Sequence, residues 1–376
     1  PPQSNYINYS LELLKFWETG LWDNGLLVFA MQMMLMLVLG HALALSNPVN
    51  NLINIVVKVC NNTSKAAALV TLLTILVSLF NWGLGLIFGA IFARKVAEHS
   101  IKNNIKINYP IIGAAGYSGL MVWHGGLSGS SLAKVAEPNH LKEMMAGILS
   151  ENQINNLPSS ISYSETFGSA MNIFVLIAVI IILPIVMYWM GLKTSSKPII
   201  IKGAAPEKEV ISEDSMGAEK LDYSSIVSKL IGCILLFYVF YKIIIQYDFQ
   251  FLRFFNPNNI NLLLFSLAII FHKNILNFLK AIDKAIGGAA GILIQFPLYF
   301  GIMGIMKNSG LVTDISDFFV QISSATTYPI FTFISAGIVN IFVPSGGGQW
   351  AVQGPIILQA ASDLGISLPK SIMALA

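Results

Sequence analysis

Three short stretches of this chain place glycine, serine and asparagine inside strongly apolar surroundings. They are "NWGLG" from Asn81, "HGGLSGSS" from His124 and "PSGGGQW" from Pro344. Backbone at membrane depth cannot stay unpaired, and irregular segments are tolerated there only where they line a cavity or meet a ligand. Glycine lets such backbone fold back sharply and approach a ligand closely. Exposed helix starts add free N–H groups and a positive dipole end, which suit an anion such as a carboxylate. The expected substrate-binding residues are therefore Asn81, Trp82 and Gly83, then Ser128, Gly129 and Ser130, then Ser345, Gly346, Gly347, Gly348 and Gln349. Gln32, His124, Gln295 and Asn340 are expected to line the same cavity or to take part in coupling. For any one of these side chains, helix–helix glue is the competing role.

Catalysis is not expected. "HGGLSGS" has the frame Gly126-Leu127-Ser128-Gly129-Ser130, which lacks the last glycine of a hydrolase nucleophile elbow. "PSGGGQW" has no Gly-Lys-Ser/Thr ending and is no phosphate loop. Two cysteines, Cys60 and Cys233, support neither a disulfide framework nor a metal site, so no metal or cofactor is expected. No carboxylate falls inside a confident apolar run, so a proton relay of the usual buried-carboxylate kind is not visible. His41 and His124 are the membrane-embedded titratable candidates, and the coupling ion, proton or sodium, stays open.

The elements that must position these residues are set by composition. Of 376 residues, 55% are hydrophobic and 11% charged, with a mean hydropathy of +0.69. Soluble domains carry about 25% charged residues. Apolar runs of membrane-spanning length recur, and they are continuous rather than alternating. The expectation is an all-α polytopic membrane protein. A net charge of +3 spread along the chain gives no reason to expect a nucleic-acid partner.

Residues 66–97 are too long for one crossing, since a straight helix of that length spans roughly 48 Å. Folded at "NWG", they would form a re-entrant hairpin with arms of about 22 Å. Residues 329–362, broken at "PSGGGQW", are expected to form a second. Lysine and arginine bias places residues 94–106, 58–65 and 273–284 on the cytoplasmic side and the acidic stretch 132–165 outside. The two hairpins then enter from opposite faces. Gln32 precedes Asn81 by 49 positions and Gln295 precedes Asn340 by 45, an echo that suggests two inverted repeats, the signature of a secondary transporter. The expected domains are a first repeat over 1–190, with hairpin 66–97 and a broken helix around 124–131. A cytoplasmic linker over 191–229 and a second repeat over 230–376 follow. The chain begins without methionine and ends at "KSIMALA", so a fragment lacking both ends is expected.

The stretches "MQMMLMLVLGHALALSNPV", "FNWGLGLIFGAIFARKVAE", "HGGLSGS", "AGILIQFPLYFGIMGIMKNSGL" and "VPSGGGQWAVQGPI" resemble the bacterial short-chain fatty acid transporter family, the permeases for acetoacetate, butyrate and similar acids. The resemblance runs from about Met31 to the end. It implies uptake of short monocarboxylates across the bacterial inner membrane. It also implies the architecture of the ion transporter superfamily, with a scaffold, a mobile transport domain and assembly as homodimers in the bilayer. Family members continue past "KSIMA" and can carry glycine where this chain has His124. The rival expectation is a passive channel or uniporter for small organic anions, because broken helices also build filters.

Overall fold

The computed structural model describes residues 6–195 and 217–376, and in them the regular structure is helical apart from one isolated bridge. The sequence writes the helix starts plainly. Asp23, Asn62, Asn81, Asn108, Ser169, Ser224, Asn256, Asn274 and Ser345 each accept a backbone N–H of the helix they begin. Such caps satisfy donors that no helical partner can reach.

The first half runs α1 (Tyr6–Leu21), α2 (Asn24–Ala44), α3 (Asn47–Val57), α4 (Thr63–Phe80), α5 (Trp82–Lys102) and α6 (Tyr109–Gly116). An irregular stretch leads to three short helices, α7 (Ser130–Val135), α8 (His140–Met145) and α9 (Glu151–Asn156), and then to α10 (Ala170–Lys193). After the undescribed residues come α11 (Glu219–Tyr223), α12 (Ser225–Tyr241), α13 (Phe251–Phe254), α14 (Pro257–Phe271) and α15 (Ile275–Ile286). The chain closes with α16 (Ala290–Asn308), α17 (Leu311–Ile322), α18 (Tyr328–Phe342), α19 (Gly346–Asp363) and α20 (Leu368–Leu375). Among the described residues, five helices are long and apolar enough to cross a membrane: Asn24–Ala44, Thr63–Phe80, Ala170–Lys193, Ser225–Gln246 and Ile275–Asn308.

Two runs of five helices have similar lengths in the same order. From α2 to α6 the helices have 21, 11, 18, 21 and 8 residues, and from α16 to α20 they have 19, 12, 15, 18 and 8. Their packing repeats as well. α1 lies on α16 and α15 lies on α2; α2 packs on α5 and α16 on α19; α3 packs on α5 and α17 on α19; α6 rests on both α4 and α5, and α20 on both α18 and α19. At the α1–α16 crossing a Cβ on Gly20 would lie 2.3 Å from the Phe300 carbonyl, so only glycine permits this approach.

Several sequence expectations shift. The first helix pair spans Thr63–Lys102 rather than 66–97, and its helices are about 27 and 32 Å long at 1.5 Å per residue. The second turns at Val343–Ser345, ahead of its glycines. Gly346, Gly347 and Gly348 lie in the first turn of α19, and none has positive φ. Their purpose is close contact, not the turn itself. The structure also makes Ser345, not Asn340, the counterpart of Asn81. Asn81 has φ −149° and ψ 125°, and Ser345 has φ −152° and ψ 118°; both cap the following helix. Gln295 precedes Ser345 by 50 positions, which matches the 49 of the first unit better than Asn340 does.

The polar linker expected over 191–229 lies mostly outside the described residues. Where described, it is helical, with α10 reaching Lys193 and α12 starting at Ser225. The acidic stretch 132–165 is folded into the protein. Val135, Leu141, Met145 and Ile161 belong to the largest apolar core.

Candidate functional site

The site is built from two helix starts and one irregular segment. Asn81 ends α4 and begins α5; its Oδ1 accepts the Leu84 N–H at 2.7 Å. The Trp82 N–H donates to Ser128 Oγ at 2.8 Å, which ties the first tip to the "GLSGS" segment. The Leu127 N–H donates to the Leu79 carbonyl at 2.8 Å. The irregular segment is held from behind by two residues that sequence reasoning missed. Asn172 Nδ2 donates to the Gly125 carbonyl at 2.9 Å, and the Tyr163 hydroxyl donates to the Leu127 carbonyl at 2.7 Å. Asn172 could have been found, because it is a lone amide at the start of the very apolar α10. On the other side, Ser345 Oγ accepts the Gly348 N–H at 3.3 Å and so caps α19.

These parts enclose a cavity of about 390 Å³. Trp82 and Ser128–Ser130 line it from the first unit, and Pro344–Gly347 with Gln295 and Phe296 from the second. His41, Trp123 and His124 complete its polar and aromatic wall, while Met33, Leu37, Leu86, Ile87 and Ile292 supply the apolar remainder. Among the described residues, no carboxylate and no lysine or arginine lines it. Donors come from serine hydroxyls, helix-start N–H groups and the Trp82 indole, whose buried Nε1 has no partner. A buried donor without an acceptor is costly, about 1–3 kcal/mol, and a carboxylate would satisfy it.

The glycines at the second tip fit this geometry. A Cβ at Gly346 would lie 2.1 Å from His124 Cε1, one at Gly347 would lie 2.6 Å from the Phe296 ring, and one at Gly348 would lie 2.3 Å from the Tyr299 ring. The tip is pressed against aromatic walls that leave no room for a side chain.

Of the expected residues, Trp82, Ser128, Gly129, Ser130, Ser345, Gly346, Gly347, His124 and Gln295 meet at the cavity. Asn81, Gly83 and Gly348 stand one layer behind it. Asn340 and Gln349 face a neighbouring space of about 320 Å³ that His124 and Gly346 also border. There Asn340 Nδ2 donates to Gln349 Oε1 at 2.9 Å, and Gln349 Nε2 donates to the Ala336 carbonyl at 2.8 Å and to Gln353 Oε1 at 2.9 Å. These amides lock α18 to α19.

Gln32 departs most from expectation. It does not line the cavity. Its Nε2 donates to Glu137 Oε1 at 2.6 Å and to Asn258 Oδ1 at 3.0 Å, and its Oε1 accepts from Lys134 Nζ at 3.4 Å. Lys134 and Glu137 form an ion pair, with the Lys134 ammonium also 5.5 Å from the centre of the Phe29 ring. Glu137 is an interior carboxylate delivered by a loop segment rather than by an apolar run.

A second interior link lies next to this pair. Trp350 is fully buried, and its Nε1 donates to His140 Nε2 at 3.0 Å, so His140 is neutral there. Burial, with the nearby Lys134 charge, pushes the His140 imidazole down to about 3 from 6.5. Beyond it lies a further cavity of about 440 Å³, lined among others by Asp23, His140, Glu143, Phe300 and Lys307. Phe296 lines the first cavity and Phe300 this one, and their rings pack edge to face at 5.9 Å between centroids.

Comparison with known proteins places this geometry in a family. The family model described as short chain fatty acid transporter matches residues 5–376. The chain is 34% identical over 370 residues to the "Putative short-chain fatty acid transporter" of Escherichia coli (strain K12), covering 97% of this chain and 79% of that protein. It is 34% identical over 376 residues to the protein of the same description from Haemophilus influenzae (strain ATCC 51907 / DSM 11121 / KW20 / Rd), with the same coverage. No solved structure matches the chain significantly.

Proposed function

The chain belongs to the short chain fatty acid transporter family, and from that premise we propose that it is a secondary active transporter that takes up small monocarboxylates such as butyrate or acetoacetate across the bacterial inner membrane. The observation that carries this reading is the 390 Å³ cavity between two capped helix starts, free of lining carboxylates and apolar over much of its wall. Its size lies at the lower end of the roughly 300–1,000 Å³ range of small-molecule sites. The substrate carboxylate accepts from the tip N–H groups, the serine hydroxyls and the Trp82 indole. Leu37, Leu86, Ile87 and Phe296 cover the short alkyl tail.

The repeat of α2–α6 in α16–α20 supports an inverted pair of helical hairpins, a design in which substrate sits at the repeat interface. The carrier reading is supported by the edge-to-face contact between Phe296, which lines one cavity, and Phe300, which lines the other. The reading is tested by reconstituting the full-length protein and following labelled butyrate. Accumulation above the outside concentration under an imposed ion gradient is expected. Uptake that only equilibrates would return the protein to the channel reading.

A further inference from the structure

The Lys134–Glu137 pair is the one buried ion pair among the described residues; the other two pairs join exposed side chains on α5. Three observations connect it to the cavity wall and to its surroundings. First, Lys134 lies one helical turn beyond Ser130, and Ser130 lines the cavity. Ser130 Oγ donates to Met33 Sδ at 3.4 Å, and Met33 lines the cavity beside Gln32 on α2. Second, the pair is tied to different bodies of the fold. Lys134 lies on α7 and Glu137 in the turn that follows it, Gln32 on α2 bonds both, and α14 joins through Asn258 and through Asn261 Nδ2, which donates to the Gln32 carbonyl at 2.9 Å. Third, the Glu137 side chain keeps 14% of its surface exposed while that of Lys134 keeps 6%, so the carboxylate is the more accessible of the two charges.

Electrostatics then connect the pair to the cargo. A carboxylate in the cavity adds a negative charge to a low-dielectric region that already holds one. Like charges that share a buried site favour protonation of one of them. Among the described residues no lysine or arginine lines the cavity, and one helical turn beyond the lining Ser130 stands the Lys134 ammonium, which is paired with Glu137.

We propose that Glu137 is the proton-coupling carboxylate of this transporter and that Lys134 is the cation it releases to the substrate. This rests on the monocarboxylate reading above. One proton from the outer water adds to the Glu137 carboxylate and gives the neutral acid. The ammonium of Lys134 keeps its charge and balances the bound substrate anion instead. On the inner side the anion and the proton both leave, and Lys134 pairs with Glu137 again. One proton and one monocarboxylate cross, and no net charge moves. The other polar and titratable groups around Glu137 are Gln32 on α2, Asn258 in the first turn of α14, His140 on α8 and the Tyr163 hydroxyl. His140 is held neutral by Trp350 and Tyr163 donates to a carbonyl, so neither competes for the proton.

The test uses purified full-length protein. Butyrate is added in weakly buffered detergent solution, and proton uptake is read with a pH indicator dye alongside binding. Wild type is expected to take up one proton per butyrate bound, and Glu137→Gln none. In proteoliposomes Glu137→Gln is expected to lose accumulation driven by a proton gradient while still exchanging labelled for unlabelled butyrate. Wild-type exchange without proton uptake on binding overturns the coupling role and leaves the transporter reading standing. Proton-driven accumulation by Glu137→Gln overturns it too. No binding and no exchange by wild type removes the monocarboxylate reading, and the coupling role with it.

Discussion

Gly347 concentrates what the second helix start demands of one residue. A Cβ there meets the Phe296 ring at 2.6 Å and Phe29 at 3.2 Å, and both rings are already packed together. Gly347→Val is expected to insert into the membrane in normal amounts, to cost about 1–3 kcal/mol of local packing, and to abolish butyrate uptake. Uptake assays normalised to membrane-fraction protein check this, and wild-type uptake in the variant would remove the second tip from the site. His140 gives a pH-dependent prediction. Its folded-state imidazole is pushed far below 6.5, so the neutral form is the one that folding favours. The stabilisation is complete above about pH 6.5 and is lost as pH falls toward 3. The melting temperature of detergent-solubilised protein is expected to drop over that window, and His140→Gln should flatten the slope. Trp350→Phe, which leaves His140 without its donor, should lower stability by about 1–3 kcal/mol at neutral pH.

Helices α4/α5 and α18/α19 raise a question of orientation that single residues cannot. Both pairs turn on a capping residue in the same extended conformation, and both rest on a following short helix with proline at its start. If they enter from opposite faces, the connections leading into them lie on opposite sides of the membrane. Asn61, before α4, and Ala325, before α18, are both exposed. Cysteines placed there in a background lacking Cys60 and Cys233 should react with an impermeant thiol reagent from opposite sides. Labelling of both from one side would end the inverted arrangement. The capping serine can also be tested alone. Ser345→Ala should cost about 1 kcal/mol and weaken butyrate binding, because the start of α19 frays.

At the scale of the whole molecule, α10 and α12 stand apart. Their most apolar windows are only 22% buried within the chain, and their remaining apolar surface needs lipid or a second copy. Assembly as a homodimer, which the family resemblance implies, predicts a two-chain mass in lipid nanodiscs. A one-chain mass with full transport activity would show that lipid alone covers these faces.

Much of this was legible in the amino-acid sequence. Long apolar runs require helices in a membrane, because hydrocarbon leaves backbone groups no other partner. "NWG", "GLSGS" and "PSGGG" announce irregular backbone at that depth, and Trp82, Ser128–Ser130, Ser345–Gly347 and Gln295 do meet around one space. These signals are local, carried by composition and by neighbours in the chain. Gln32 shows where local signals end. It lies mid-helix like Gln295, yet one faces the cavity and the other binds Glu137 and Asn258, over 100 positions away. Likewise Lys134 and His140 sit in a stretch polar enough to read as an outer segment, and only its folding into the core buries them. Burial depends on what long-range packing brings alongside, so the sequence determined that this is a membrane protein with broken helices, and the tertiary structure decided which polar side chains share its interior.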